Sequence, residues 1–284
     1  MTKRYDIIWL DSVDSTNSEA KRRLSDIDNL SVMSALSQSE GRGQKGNKWS
    51  SLPGENLTFS IVLKFGQEVI EKSAAFQIPA KDQFVLTEIT SLSVVEFLSR
   101  HGITAQIKWP NDIYVGKKKI CGILIENSLR GEHLSSSTIG IGLNINQRNF
   151  NVNLPNPTSM SLETGNSEDI KACLEEFMNI FQQTLYSAAS PNLALGCFAS
   201  PNLRELYLSH LWRLNTPAQY LDHTVRPDQH PDHAVHPDQT VSPAPARKFT
   251  GIIRGLTPIG HLIIEDTTKG ELKEFAFKEI SYIL

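Results

Sequence analysis

A glycine-rich loop that leads into a strand, where nucleotide-binding folds would have a helix, restricts the fold of this chain more than any other feature. Residues 39–51 read SEGRGQKGNKWSS, and their three glycines satisfy the G-x-G-x-x-G pattern of dinucleotide-binding domains. That pattern is meaningful only where a strand precedes the loop and a helix follows it. Here Pro53 and Gly54 interrupt any helix, and the next segment, NLTFSIVLK, has the alternation of a strand. The sequence therefore argues against a dinucleotide-binding domain.

The phosphate-binding loop of nucleoside triphosphatases is excluded in a similar way. Gly41 and Gly46 have its spacing, but Asn47 stands at the position of its lysine and Lys48 at the position of its hydroxyl. A protein kinase is not indicated either, because the catalytic-loop and metal-binding signatures do not follow further along the chain. The loop matches none of the standard nucleotide motifs.

The chemistry of the loop nevertheless suits an anion. Glycines let successive backbone N–H groups turn toward a ligand without obstruction by a Cβ atom. Arg42, Lys45 and Lys48 add positive charge, and Trp49 offers an aromatic face on which a base could stack. Such a loop fits the phosphates of a nucleotide, and taken alone it fits equally well a mobile surface turn with incidental lysines.

Three later stretches add polar groups in a specific order. KWPND, residues 108–112, forms a turn beside Asp112, and GKKKICGILIE places Lys119 at the mouth of a buried apolar strand after a hairpin at Gly116-Lys117. IGIGLNIN alternates, which predicts one strand face made of small and then polar residues: Gly140, Gly142, Asn144 and Asn146. Each stretch alone also has a purely structural explanation, as a strand-end charge or as close strand packing.

The remaining pattern predicts helices and a separate C-terminal module. Apolar spacing indicates an amphipathic helix over residues 82–100, a second helix over Glu168–Tyr186 and a third over Asn202–Leu214. Residues 217–248 then hold six prolines and four of the eight histidines. A metal-binding tract is one interpretation, but proline-spaced histidines have no fixed geometry, so a disordered segment is favoured. Four short strands follow, which predicts a small β-barrel or sandwich.

Composition limits the partners and the compartment. The net charge of −3 gives no electrostatic footprint for nucleic acid, and the three cysteines have no paired spacing, which favours a reducing compartment. The apolar run near the N-terminus is too short for a signal peptide, and no stretch has the length of a transmembrane helix. We expect a cytoplasmic protein that binds neither nucleic acid nor membranes.

Taken in order, these strings resemble the biotin protein ligase family in its short form without a DNA-binding domain. The match includes DSTN at 14–17, Gln38 with GRGQKGNKW, PGENL, KWPNDIYVGKKKICGILIE and IGIGLNIN, and it covers roughly residues 5–190. The resemblance implies an α+β fold, a mixed or antiparallel sheet with helices packed on it as in class II aminoacyl-tRNA synthetases and biotin ligases. It also implies three parts: a catalytic domain over 1–215, a Pro/His-rich and disordered insertion over 216–248, and a small SH3-like β-barrel over 249–284.

The reaction that the resemblance implies needs no protein nucleophile. The carboxylate of biotin attacks the α-phosphate of ATP, which gives biotinyl-5'-AMP and pyrophosphate, and a lysine of a biotin carboxyl carrier domain of acetyl-CoA carboxylase or a related carboxylase then takes the biotin. Biotin, ATP and Mg²⁺ are used as substrates and activator, with no tightly bound prosthetic group, and a homodimer is left open. Two anions about 4 Å apart repel by about 4 kcal/mol at an effective dielectric constant of about 20, so cations are required.

By the same resemblance, Lys119, Arg42 and Asp112 are the catalytic candidates. For Asp112 two roles stay open: acting on the incoming lysine, or capping the KWPND turn. The implied biotin-binding residues are Ser15, Thr16, Asn17, Gln38, Arg42, Gly43, Gln44, Lys119 and Gly122. The implied ATP- and adenylate-binding residues are Arg42, Lys48, Trp49, Asn111, Lys119 and Asn144. For Ser15, Thr16 and Asn17 simple helix capping is the structural alternative, and both roles can coexist. No metal ligands are assigned.

One position departs from the family, and one related activity competes. Gln44 stands where many bacterial members carry a second arginine, so we expect a less tightly held adenylate. A lipoate-protein ligase or octanoyltransferase, on a related fold with a similar lysine, is the alternative function. A biotin-responsive repressor is disfavoured because DSTN begins at residue 14, which leaves no room for a helix-turn-helix domain before it.

Overall fold

The computed structural model describes residues 5–66, 77–189, 201–224 and 246–284. The chain divides into two compact units, Met1–Trp212 and Arg213–Leu284. None of the described helices is both long enough and apolar enough to cross a membrane.

The first unit is built on one seven-stranded mixed sheet, which confirms the predicted α+β class. Its strands, in chain order, are β1 Ile7–Val13, β2 Val32–Gln38, β3 Leu57–Lys64, β4 Gln106–Lys108, β5 Asp112–Val115, β6 Lys118–Arg130 and β7 His133–Leu143. They are arranged in the order β1-β2-β3-β7-β6-β5-β4. Only β1 and β2 pair in parallel, and every other neighbouring pair of this sheet is antiparallel. The predicted hairpin at Gly116 joins β5 to β6, where the glycine adopts a left-handed φ of 59°.

Within the described residues of this unit the helices are α1 Thr16–Arg22, α2 Val85–Arg100, α3 Met160–Thr164, α4 Ile170–Ala189 and α5 Pro201–Ser209. The three longer predicted helices are therefore present with shifted ends. The predicted amphipathic character of α2 is wrong, because this helix is buried over most of its circumference. Helices α4 and α5 pack on α2 in addition to the sheet. Two of its buried hydroxyls, of Thr90 and Ser93, are satisfied by carbonyl groups one turn earlier.

One face of the central strands is apolar and packs against helices. Phe59 of β3 lies opposite Ile141 of β7, which lies opposite Ile123 of β6, so the three side chains form a row across the sheet. The ring of Phe177 in α4 lies 5.3 Å from the ring of Phe59 and 6.2 Å from that of Phe97 in α2. This layer is the main core of the unit.

The other face carries small and polar residues in the neighbouring rows. Thr58 lies opposite Gly142 and Gly142 opposite Gly122, while Ser60 lies opposite Gly140. At the far end of this face α1 packs on the sheet through an apolar cluster that includes Ala20, Met33 and Val62. The middle of the face, where the glycines lie, is left for other groups.

The second unit contains a five-stranded antiparallel sheet in the order β11-β10-β9-β8-β12. Its strands are β8 Pro217–Asp222, β9 Arg247–Leu256, β10 Leu262–Asp266, β11 Glu271–Phe275 and β12 Ile280–Tyr282. The boundaries predicted for the insertion need correction, because β8 falls inside the predicted 216–248 segment. Tyr220 is fully buried, and β8 pairs with both β9 and β12, which explains why this short stretch is ordered. The predicted segment also overlaps the start of β9 at Arg247. Residues 225–245 lie outside the described residues, and closure into an SH3-like barrel stays a prediction.

Candidate active site on the glycine face of the sheet

Two glycines of β7 allow other groups to lie directly on the sheet. A Cβ atom at Gly140 would be 2.3 Å from the Oδ1 atom of Asn17, and one at Gly142 would be 2.2 Å from the ring of Trp49. On β6, a Cβ atom at Gly122 would be 3.1 Å from the same ring. We call Gly122, Gly140 and Gly142 the glycine platform. Its missing side chains allow α1 and the end of the glycine loop to meet the sheet.

The amine of Lys119 lies at the edge of this platform. Lys119 is the second residue of β6, and its Nζ atom lies 2.6 Å from the Oδ1 atom of Asp112 and 5.8 Å from the ring centroid of Trp49. Its backbone N–H donates to Asn156 (2.8 Å), and its carbonyl accepts from Thr158 (2.9 Å). The sequence singled out Lys119 and Asp112 in separate motifs, and the structure pairs them directly. The lysine is thus fixed beside the end of the glycine loop.

The glycine loop folds back on itself. The N–H of Gly43 donates to the carbonyl of Asn47 (2.7 Å), and the N–H of Trp49 donates to the carbonyl of Gly41 (2.9 Å). A short 3-10 turn over Gln44–Gly46 reverses the chain, with Gly46 at a φ of 88° that favours glycine. This closure brings Trp49 back toward the sheet.

The polar side chains of the loop point to different surroundings. The side chain of Lys48 is exposed, whereas Gln44 is half-buried. The Oε1 atom of Gln44 is buried and accepts no hydrogen bond from the residues that the structure describes. Gln44 is thus a residue of the glycine loop whose side-chain oxygen has no hydrogen-bond partner among the described residues.

Arg42 forms a two-pronged ion pair with Glu126 of β6. Its two terminal nitrogens donate to the two carboxylate oxygens, at 2.9 and 3.2 Å. Lys21 and Asn17 of α1 donate to the same carboxylate at 2.7 and 2.9 Å. Burial raises the pKa of Glu126, but the hydrogen bonds from Lys21 and Asn17 and the charges of Lys21 and Arg42 outweigh it, so the pKa lies below its ordinary value.

The DSTN segment and Gln38 form a second polar cluster beside the platform. The backbone N–H and the hydroxyl of Thr16 donate to the Oε1 atom of Gln38, at 2.8 and 3.3 Å. The hydroxyl of Ser60 lies 2.8 Å from that of Thr16 and 2.6 Å from the Oδ1 atom of Asn17. Ser15 occupies the N-cap position of α1, but its side chain makes no capping hydrogen bond. Capping therefore does not account for these buried polar residues.

Two predicted adenylate-binding residues have backbone partners. The Nδ2 atom of Asn111 donates to the carbonyl of Ile123 (2.6 Å), and that of Asn144 donates to the carbonyl of Thr158 (2.8 Å). The prediction that Asn144 and Asn146 share a strand face with the glycines is wrong, because β7 ends at Leu143 and both amides turn toward loop segments. The contact of Asn144 with Thr158 holds the segment whose N–H group donates to the carbonyl of Lys119.

Sequence reasoning missed Ser60 and Glu126. Both lie within the quoted strands, and both follow a period of two that places them on the glycine face: Ser60 with Thr58, and Glu126 with Gly122. Glu126 could have been found from the sequence, because it is a charged residue on the same strand face as Gly122. Among the described residues, no group of three or more His, Cys, Asp or Glu side chains is placed to hold a metal ion.

Part of this chain is similar to a known protein family. Residues 9–144 match the Biotin/lipoate A/B protein ligase family. This segment contains the loop, Lys119 and the glycine platform.

Two individual proteins are similar to this chain in sequence. The chain is 29% identical to the bifunctional ligase/repressor BirA of Bacillus spizizenii over 182 residues, 62% of this chain and 53% of that protein. It is 27% identical to the biotin--[acetyl-CoA-carboxylase] ligase of Paracoccus denitrificans over 214 residues, 72% of this chain and 80% of that one. The chain spans about half the length of the bifunctional relatives that it matches.

A solved structure matches over nearly the whole chain. The biotin protein ligase of Aquifex aeolicus, in complex with biotin and ATP, is 26% identical, covers 97% of each chain and has a TM-score of 0.68. The biotin protein ligase of Leishmania major, at 20% identity and a TM-score of 0.54, supports the fold. The fold that the motifs implied is confirmed for the first unit.

Proposed function

We propose that this protein is a biotin protein ligase that makes biotinyl-5'-AMP from biotin and ATP and transfers biotin to a lysine of a biotin carboxyl carrier domain. The observation that carries the proposal is the placement of two cationic groups, Lys119 and Arg42, along one face of the sheet beside the glycine platform. The complex of the Aquifex aeolicus relative with biotin and ATP supports the same substrates.

The first step joins two anions. An oxygen of the biotin carboxylate attacks the α-phosphorus of ATP, the bond to the bridging oxygen of the β-phosphate breaks, and pyrophosphate leaves. The ammonium of Lys119 would neutralise the carboxylate and the α-phosphate, and Arg42 with the N–H groups of Gly43 and Gln44 would hold the phosphate from the loop side. Mg²⁺ would enter as the MgATP substrate, bound to the phosphates. We assign no tightly bound prosthetic group.

The second step transfers the activated acyl group. The neutral amine of the carrier lysine attacks the carbonyl carbon of biotinyl-5'-AMP, the bond to the phosphate oxygen breaks, AMP leaves, and the amine gives up one proton to solvent as the amide forms. Lys119 would stabilise the negative charge that develops on the carbonyl and on the leaving phosphate. Asp112, ion-paired with Lys119 at 2.6 Å, would act as a positioning residue that holds this amine in place.

A separate set of residues is assigned to each end of the biotinyl-5'-AMP intermediate. Ser15, Thr16, Asn17 and Gln38 would surround the ureido ring, and Gly122 would let the acyl chain pass close to β6. We assign the adenosine side to Lys48, Trp49, Asn111 and Asn144. The Oδ1 atom of Asn144 is buried and accepts no hydrogen bond within the described part of the chain, so it could take one from the adenine amino group.

The cellular setting is part of the same proposal. A reducing cytoplasm, where carboxylase carrier domains would be met, agrees with the buried free thiols of Cys121 and Cys173. Burial raises the pKa of the Cys121 thiol above its usual range, which keeps it protonated and unreactive.

An ATP-dependent biotin transfer assay tests the function. We expect pyrophosphate release that requires biotin and MgATP, and incorporation of labelled biotin into a carrier domain. Lys119→Ala should reduce both by on the order of 100-fold or more, since a preorganised cation would be lost. Lys118→Ala is the matched control, because this neighbouring lysine is exposed and pairs with Glu163 away from the platform.

The outcome separates the two activities of the family. Incorporation of lipoate instead of biotin would identify a lipoate ligase. The absence of biotin-dependent pyrophosphate release from the wild-type protein would exclude the proposed function.

A further inference from the structure

We propose that Glu126 is a positioning residue that fixes the guanidinium of Arg42 for adenylate formation. The inference rests on the proposed function and deepens it. It starts from the observation that the one arginine of the glycine loop is held by a carboxylate of a different element, β6.

The pair has the geometry that fixes a guanidinium plane. Both terminal nitrogens of Arg42 donate to Glu126, one to each carboxylate oxygen. Two parallel hydrogen bonds fix both the position and the orientation of the planar group, which a single contact to a lysine could not do. Arg42 thereby takes a defined direction although its loop is partly exposed.

Glu126 is itself held from a second side. Its Oε1 atom accepts from Lys21 and its Oε2 atom accepts from Asn17, both in α1. Asn17 is held in turn by the hydroxyl of Ser60 on β3 and donates to the carbonyl of Leu124. The carboxylate is therefore anchored to a helix and two strands, and the flexible partner in the ion pair is the arginine.

The pairing leaves donors of Arg42 available for an anion. A guanidinium has five N–H donors, and the contacts to Glu126 use two of them. The edge that carries Nε–H and one terminal N–H can meet a phosphate while the other edge stays on Glu126. Glu126 can thus keep its contact during the reaction, and it does not need to release Arg42.

The charges around Glu126 allow an experiment to distinguish a positioning role from a simple electrostatic attraction of the substrate. Glu126 carries one negative charge between the two positive charges of Lys21 and Arg42. Removing its charge would leave the cluster more positive and would strengthen the attraction for MgATP. If Glu126 orients Arg42, the same change should slow the chemical step. The two effects have opposite signs, which makes the comparison of kcat with KM decisive.

The test is a double-mutant cycle on biotin-dependent pyrophosphate release. We expect Glu126→Gln to lower kcat by on the order of 10- to 100-fold, the range for a misplaced catalytic group, while KM for MgATP stays within about threefold of wild type or falls. In an Arg42→Lys background, which lacks the two-pronged pair, the same substitution should cost less than about threefold. Glu126→Asp keeps the charge but shortens the side chain, and it should lower kcat while leaving the melting temperature near that of wild type.

Glu19→Gln is the control. Glu19 is a carboxylate within α1 whose ion-pair partners are Arg22 and Arg23 of the same segment, and not Arg42. Its kcat should equal that of wild type. An unchanged or increased kcat in Glu126→Gln, or an undiminished effect in the Arg42→Lys background, would overturn the inference. Failure of the proposed function would show differently, because the wild-type protein itself would then release no pyrophosphate.

Discussion

The two faces of the seven-stranded sheet are made by the same strands and differ in almost every physical respect. On one face Phe59, Ile123 and Ile141 form a row that α2 and α4 cover completely. On the other, the neighbouring rows carry glycine, serine and threonine, and a loop residue, Trp49, lies where side chains would otherwise be. Because strand side chains alternate, residues next to one another in sequence serve opposite purposes. One face is built for stability, and the other is built to admit groups from outside the sheet.

The comparison also explains where charge is placed. Lys119, Asp112, Arg42 and Glu126 all belong to the glycine face, and each has an oppositely charged partner there. An unpaired charge in such a half-buried place would be costly. The ion pairs therefore hold the cations in place, which under the proposed function prepares them for an anionic ligand.

The largest effect is expected on the apolar face. Phe177→Ala should lower the free energy of unfolding by about 3–5 kcal/mol, because a fully buried ring that contacts three other rings is removed. Its specific activity, corrected for the folded fraction, should stay within about twofold of wild type. Denaturant unfolding and the biotin transfer assay measure the two quantities. A large loss of activity in the folded fraction would show that the faces are not separate in function.

The opposite result, a loss of activity without a loss of stability, is expected for a substitution on the glycine face. At Gly142 an added methyl group would lie 2.2 Å from the ring of Trp49, so Gly142→Ala must displace the end of the glycine loop. We expect an activity loss of about 100-fold, as a displacement of about 1 Å can produce, with little change in the melting temperature.

The neighbouring residue Ile141 supplies the control for Gly142. Its side chain points to the apolar face, and Ile141→Val should cost about 0.5–1.5 kcal/mol of stability and no activity. Comparable activity in both variants would remove the assigned role of the platform.

The strand pattern made one half of this division predictable. The alternation in NLTFSIVLK and the spacing of Gly140 and Gly142 predicted the two strands and their faces correctly, but the extension of the glycine face to Asn144 and Asn146 was wrong. The order of the strands, and the parallel pairing of β1 with β2, did not follow, because they depend on contacts between distant segments. The burial of α2 on most sides was missed for the same reason, since α4 and α5 supply the covering.

The residues proposed for the site came from sequence motifs, whereas their contacts did not. Lys119, Asp112 and Trp49 were singled out from their motifs, and the structure places them within one small region. Glu126 was missed because its importance lies in a contact with Arg42, which is 84 positions earlier in the chain. Sequence spacing carries no record of such a pairing.

A smaller effect is expected at the loop position where a second cation could stand. Gln44 is half-buried beside the site, and its Oε1 atom has no partner among the residues described. Gln44→Arg would replace a neutral donor by a charged one, a gain of about 1 kcal/mol for a contact to phosphate. Release of radiolabelled biotinyl-5'-AMP should then slow by about fivefold, whereas Gln44→Met should not slow it. Equal release rates for wild type and Gln44→Arg would show that this position does not face the intermediate.

The smallest expected effect is on the pH dependence of the free energy of unfolding, which should differ between the charged face and the apolar face. The folded-state pKa of Glu126 lies below its ordinary value of 4.5, so its ion pairs favour the folded protein. This contribution is complete above that ordinary value and is lost as the pH falls through the lower folded-state pKa. The stability difference between wild type and Glu126→Gln should therefore be constant near pH 7 and shrink on acidification toward pH 3. The deficit of Phe177→Ala, measured in parallel, should not shrink in this way, since burial of an apolar ring involves no proton. A Glu126→Gln difference that stays flat down to pH 3 would mean that the carboxylate is not stabilised by Lys21 and Arg42, and the charged face would then owe its order to packing alone.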